Sequence, residues 1–134
     1  MAKTITKKMG GRAVIDTNIL IYCSKGRLDF EELVSPYNEI FISSISFMEA
    51  LGYKYPNLME KRTMEFIVNS YKVVHTDNAI SQYVITYRRI KNIELADAII
   101  LATARKMAAD LITINRDDFK NLDAAVKIVV PPFI

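Results

Sequence analysis

Residues 13–22 read Ala-Val-Ile-Asp-Thr-Asn-Ile-Leu-Ile-Tyr, and their order decides the fold. Ala13 to Ile15 is short, apolar and β-branched, the mark of a buried strand. Asp16, Thr17 and Asn18 follow at once. Each can cap the helix that starts at about Ile19, and Gly26 is placed to stop it. The same passage from buried strand through polar turn to helix recurs along the chain. Glu39–Ser43, Tyr71–Val74, Leu111–Ile114 and Lys127–Val130 read as further strands. The spacing predicts helices over Phe30–Val34, over a segment with Ile45, Met48, Leu51 and Tyr55 in phase, and over Leu58–Asn69. Two more are expected, from Thr76 or Asp77 to about Arg89 with Ile80, Tyr83, Val84 and Tyr87 in one stripe, and over Asn92–Ala109. Strands this apolar cannot leave one face in water. The expected class is therefore α/β, with a mainly parallel sheet of about five strands covered on both faces.

At 134 residues the chain reads as a single domain, 51% hydrophobic and 25% charged, which excludes a disordered polyelectrolyte. Residues 1–11 are expected to be a loose basic leader, because no apolar stretch follows the lysines as in a secretory signal. No apolar run approaches the ~18 residues of a membrane span, so no membrane partner is expected. One cysteine, Cys23, excludes a disulfide framework and a cysteine-rich zinc site and points to a reduced, cytoplasmic protein. Cys23 and the methionines read most simply as core.

Four acidic residues stand in apolar surroundings in four separated segments: Asp16, Glu49 in ISSISFMEALGY (42–53), Asp97 in IELADAIILATA (93–104) and Asp118 in LITINRDDF (111–119). An unpaired buried charge costs several kcal/mol, so such positions need a reason. In open parallel sheets ligands bind beyond the carboxyl ends of the strands. Asp16, Glu49 and Asp118 all follow strands, and Asp97 lies near the start of its helix, where the dipole favours a carboxylate. Gathered at one edge, the four make an acidic pocket that hard divalent cations would stabilise. Net charge is +3, so sequestering these acids leaves the remaining surface more basic still. A metal-dependent enzyme acting on a polyanion fits. The sole histidine, His75, has no partner motif, which leaves histidine acid–base catalysis without support.

The ordered set IDTNILIY, ISSISFMEALGY, LADAIILATA and LITINRDDF resembles the PIN domain, and more closely its VapC-type toxins of toxin–antitoxin pairs. The resemblance covers about residues 12–130. It implies a PIN-like three-layer α/β/α fold and an endoribonuclease that uses Mg²⁺ or Mn²⁺ to hydrolyse RNA. Asp16, Glu49 and Asp97 match the first three family acids. Asp118, just before Phe119, matches the fourth, although some members place that acid where Asn115 stands, and Asp117 is a further candidate. Thr17, Asn18, Ser46, Thr113 and Asn115 match polar positions that support the acids or touch substrate. The resemblance also implies a homodimer and an antitoxin partner that fills the acidic groove.

Plainer readings stand beside each of these. Asp16 can be only a helix cap, Glu49 a residue of a solvated helix face, Asp97 a first-turn acid, and Asp117 with Asp118 a solvated turn. Lys54, Lys61, Arg62, Arg88, Arg89, Lys91 and Arg12 could rim a phosphate path or simply face water. Tyr53, Tyr55, Tyr83 and Tyr87 read as packing before base stacking. Competing functions are a non-catalytic PIN module, a receiver-type signalling domain and a ribosomal-RNA processing nuclease. The receiver needs an aspartate at the end of its central strand, and the central candidate Tyr71–His75 ends without one. The processing nucleases often carry added domains or zinc ribbons, for which one cysteine and this length leave no room.

Overall fold

Alternate residues of the strands Arg12–Ile15, Glu39–Ser43 and Asp110–Ile112 enter two different cores, which is why these strands are mostly apolar beyond their charged first residues. Ala13, Ile15, Ile40, Ile42 and Ile112 face one core, and Val14, Phe41, Val74 and Leu111 the other. The computed structural model describes residues 11–133. The expected leader, residues 1–11, lies outside them apart from Gly11.

The described elements are β1 (Arg12–Ile15), α1 (Thr17–Ser24), α2 (Phe30–Val34), β2 (Glu39–Ser43), α3 (Ser44–Gly52) and α4 (Leu58–Ser70). There follow β3 (Lys72–Val74), α5 (Asn78–Ile90), α6 (Leu95–Lys106), β4 (Asp110–Ile112), α7 (Arg116–Phe119) and β5 (Ile128–Val129). All pairings are parallel, in the order β3-β2-β1-β4-β5. Val14 sits in register with Phe41 on one side and Leu111 on the other. Helices α1 and α4 cover one face with Ile19, Leu20, Met64, Ile67 and Val68. Helices α5 and α6 cover the opposite face with Ile80, Val84, Ile100 and Leu101. The α/β class with a parallel five-stranded sheet is as expected. Among the described residues no helix is long and apolar enough to cross a membrane.

The chain builds β1, β2 and β3 outward in one direction, then returns across β1 to build β4 and β5 in the other. The reversal opens a crevice between the carboxyl ends of β1 and β4, the place where sheets of this kind bind ligands. It also corrects one expectation. The Tyr71–His75 segment forms the edge strand β3, and the central strand is β1, which does end in an aspartate. A receiver domain is disfavoured by this strand order and not by a missing acid.

Several local features differ from the sequence reading. Helix α1 begins at Thr17, capped by Asp16 alone. Helix α6 covers Leu95–Lys106 and not Asn92–Ala109. It ends because Ala108 turns left-handed, at φ 52°, while Ala108 N–H donates to Arg105 O and Ala109 N–H to Ala104 O. That is a Schellman ending with alanine where glycine is usual, so no residue announces the stop. Helix α3 buries Ser46 and Ala50, whereas Met48 and Leu51 point outward at 61% and 38% exposure. Small residues let α3 approach its neighbours closely. Met48 and Met59 are accordingly not core, while Met64 and Cys23 are.

Candidate active site

Asp16 is nearly fully buried, and both of its carboxylate oxygens are hydrogen-bonded. Its Oδ1 accepts from the Thr17 backbone N–H at 2.8 Å and its Oδ2 from the Thr113 hydroxyl at 2.7 Å. Thr113 is fully buried at the end of β4 and also accepts from the Asn115 backbone N–H at 3.0 Å. The crevice between β1 and β4 is thus bridged by one threonine. Across the cleft, Thr17 Oγ1 lies 2.7 Å from Glu49 Oε1 and 2.9 Å from Ser46 Oγ. A hydroxyl has one proton, so Thr17 donates to the carboxylate and accepts from Ser46. Helix α3 therefore presents both the acid and the group that orients its hydrogen-bond donor.

Asp16, Glu49, Asp97 and Asp118 line one open cleft of about 410 Å³, together with Thr17, Asn18, Asn115, Ile21, Tyr53, Glu94 and Ala96. All four sequence-identified acids are brought together. Among the alternatives for the last position, Asp118 and Asn115 line the cleft. Asp117 is exposed, stands outside the cleft lining, and pairs with Lys120 at 3.3 Å. Ser46 and Thr113 lie behind the cleft as supports, and Thr17 and Asn18 face into it.

Mutual repulsion shows in the protonation equilibria. Burial pushes the Asp97 carboxyl up to about 6, and Asp16, Asp118, Glu94 and Glu49 each add to the rise. Asp16 is raised too, by burial first. Its two hydrogen bonds oppose that rise, and the charges of Glu49 and Asp118 reinforce it. Raised carboxylates clustered in a cleft are a common sign of a functional site.

The donor set suits a hard divalent cation, being all carboxylate oxygen. Among the described residues no three His, Cys, Asp or Glu side chains converge tightly enough to enclose an ion alone. The excess negative charge that raises Asp97 is what such an ion would relieve.

One contributor, Glu94, escaped the sequence reading, and another, Lys91, has a role other than in a phosphate rim. Glu94 is the N-cap residue of α6, yet its side chain makes no capping hydrogen bond, and it lines the cleft. Its only sequence signal is its place three residues before Asp97, on the same helical face. Lys91 follows α5 and donates to the carbonyls of Asp117, Asp118 and Lys120 at 2.7, 3.2 and 3.5 Å. It ties down the short helix α7 that carries Asp118, so it is a structural clamp and not part of a phosphate rim. Arg12 is likewise occupied, with Glu39 and Met107 O, and Arg88 with Ile93 O. None of the seven basic residues offered as a rim lines the cleft.

The clamp carries a prediction. Lys91→Met should lower Mg²⁺ affinity by ~3- to 10-fold by loosening α7, with Lys91→Arg recovering part of the loss. Calorimetric titration of Mg²⁺ reads this directly. A folded Lys91→Met protein with unaltered affinity would remove Lys91 from the site.

A parallel sheet with carboxylates gathered at its topological switch point defines a class of acidic-centre α/β proteins. The chain belongs to the PIN domain family, whose model matches residues 13–125. Similar solved structures agree. A chain of a toxin–antitoxin complex from Klebsiella pneumoniae is 29% identical, with TM-score 0.75 over 91% of this chain and 99% of that one. A chain of VapBC2 from Rickettsia felis, bound to a promoter DNA fragment, is 20% identical with TM-score 0.75, covering 90% and 99%. A chain of DNA-bound VapBC from Salmonella typhimurium is 19% identical with TM-score 0.71, covering 90% and 98%. At their lower identity the last two speak to the fold alone. No curated protein sequence matches the chain significantly.

Proposed function

We propose that this protein is a divalent-cation-dependent endoribonuclease and the toxin of a toxin–antitoxin pair. The observation that carries the reading is the convergence of Asp16, Glu49, Asp97 and Asp118 from four separated segments into one cleft at the β1/β4 crevice. Membership of the PIN family and the likeness to chains of toxin–antitoxin complexes support it.

Bound Mg²⁺ or Mn²⁺ would supply an activated water and neutralise charge on the phosphodiester. The protein's own part is positioning. Thr113 and the Thr17 N–H leave Asp16 little freedom to turn, and Thr17 with Ser46 does the same for Glu49. Preorganised carboxylates need no rearrangement when the substrate arrives, which is where such sites gain most of their rate. Burial and the neighbouring acids raise the Asp97 carboxyl to about 6, so near and below that pH cation binding would compete with a proton. Asn18 and Asn115 at the cleft rim offer neutral amides to phosphate or sugar oxygens. His75 is exposed beside edge strand β3 and takes no part.

The antitoxin is the proposed protein partner, and the homodimer belongs to the same proposal. Met48 on α3 and Leu58, Met59 and Phe66 on α4 are 57–78% exposed and offer apolar surface to a partner. The deciding experiment incubates antitoxin-free protein with RNA in Mg²⁺ or Mn²⁺, beside the same mixture in EDTA. Cleavage with metal and none in EDTA is expected. Cleavage unaffected by EDTA would sink the metal-dependent mechanism, and absence of cleavage across structured and single-stranded RNA would favour a non-catalytic PIN module.

A further inference from the structure

We infer that Tyr53 is the stacking platform for the nucleobase next to the scissile phosphodiester. The inference rests on the ribonuclease reading and assigns it a substrate-contacting residue.

The fold separates the four tyrosines that the sequence could not. Tyr87 is buried and its hydroxyl donates to Asp123. Tyr83 stacks on Tyr87 at 6.5 Å and lies under Arg105 at 5.1 Å. Tyr55 donates to Ala50 O at 2.8 Å. None of these three lines the acidic cleft. Tyr53 is 41% exposed and is the one aromatic side chain, among the described residues, that lines the acidic cleft.

Its placement follows from chain geometry. Tyr53 directly follows α3, four residues beyond Glu49, and both residues line the cleft. The ring is also steadied before any ligand arrives. Tyr55 meets it edge-on, with centroids 4.8 Å apart at 62°. The Lys25 Nζ lies 5.6 Å from its centroid and is itself anchored to Glu60 at 3.1 Å. A ring held in this way loses little freedom on binding.

The cleft therefore has two chemically distinct parts. The four carboxylates take the cation and, through it, the phosphate. Ile21 and Tyr53 form an apolar, aromatic wall beside them. A nucleotide has the same two parts, an anionic phosphate and a flat π-surface. Bases in a duplex are already stacked and their faces are covered, whereas single-stranded bases can splay onto a tyrosine. Stacking tolerates any base, so Tyr53 supplies affinity without reading sequence.

The protein contains no tryptophan, so Tyr53→Trp introduces a lone indole fluorophore at this position. Rapid mixing of that variant with a single-stranded oligoribonucleotide in Mg²⁺ should quench its indole emission within the mixing time, before cleavage proceeds. The same strand in a duplex, or one abasic throughout, should not. In cleavage assays Tyr53→Leu should raise KM by ~10-fold with a smaller change in kcat, and Tyr53→Phe should stay within ~2-fold of the parent. Unquenched indole emission and an unchanged KM in Tyr53→Leu, beside intact metal-dependent cleavage, would overturn the inference and leave the ribonuclease standing. Equal quenching by duplex or abasic strands would also overturn it. Quenching by single strands from a protein that cleaves no RNA would keep Tyr53 as an RNA contact and retire the ribonuclease reading. If Tyr53→Trp fails to fold, the KM of Tyr53→Leu decides.

Discussion

Replacing Asp97 with asparagine is expected to abolish metal-dependent RNA cleavage while the metal-free protein becomes more stable above pH 6. Loss of a group that merely orients a ligand costs metal sites ~10- to 100-fold, so loss of a cleft carboxylate should cost ~100-fold or more. The stability change has the opposite sign. Asp97 has its carboxyl raised from 3.8 to about 6 by burial and then by the acids around it. The folded chain thus holds that proton more tightly than the unfolded chain, and stability falls as pH rises from about 4 through 6. Asparagine never ionises and escapes the loss. Solvent screening at this partly exposed position limits the gain to ~1 kcal/mol, or ~3 °C in Tm. Adding Mg²⁺ should reverse the order, because only a protein that binds the ion in its folded state is stabilised by it. Melting at pH 5 and pH 8, with and without Mg²⁺, beside an RNA cleavage assay, tests all of this. Substantial cleavage by the variant would remove Asp97 from the active site.

Thr113→Val should produce the largest loss of stability among conservative changes at the site, ~2–3 kcal/mol. The substitution preserves shape, so no cavity term arises. It removes the hydroxyl that donates to Asp16 at 2.7 Å and accepts from the Asn115 N–H at 3.0 Å, in a place without solvent. One carboxylate oxygen of a nearly fully buried aspartate then has no donor, and one backbone N–H no acceptor. The Asp16 carboxyl should rise further, since one of the two hydrogen bonds that oppose burial is lost. Cleavage should drop with it, because the same hydroxyl orients Asp16 and seats the start of α7. Thr113→Ser keeps the hydroxyl and should recover most of both. Denaturant unfolding of Val and Ser variants, read with their cleavage rates, separates the hydrogen bond from the methyl group. A Val variant as stable and active as the parent would show that Asp16 needs no such donor.

Much of this was legible in short windows of sequence. The β-branched strand Ala13–Ile15 and the capping aspartate are local facts, and local forces enforce them. The four acids stood out because each sits in apolar surroundings where a charge is costly. Other features had no local signature. Ala108 ends α6 in a conformation normally marked by glycine. The outward turn of Met48 and Leu51 follows from where α1, α4 and α6 lie, since helical spacing alone does not say which face meets the core. Asp117 and Asp118 look alike in sequence. Lys120 takes up the first, while burial of Phe119 and the Lys91 clamp on the α7 carbonyls secure the segment that places the second at the cleft.

The chain's own pattern thus specified its described elements apart from α7, its α/β class and the residues able to carry the chemistry, because propensity, capping and the cost of buried charge act over a few neighbouring residues. The order of the strands, the bridge from Thr113 to Asp16 across 97 residues, and the choice of Tyr53 over three other tyrosines arose in packing. Parallel pairing brings together groups far apart along the chain, and no short window of sequence contains both partners of such a contact.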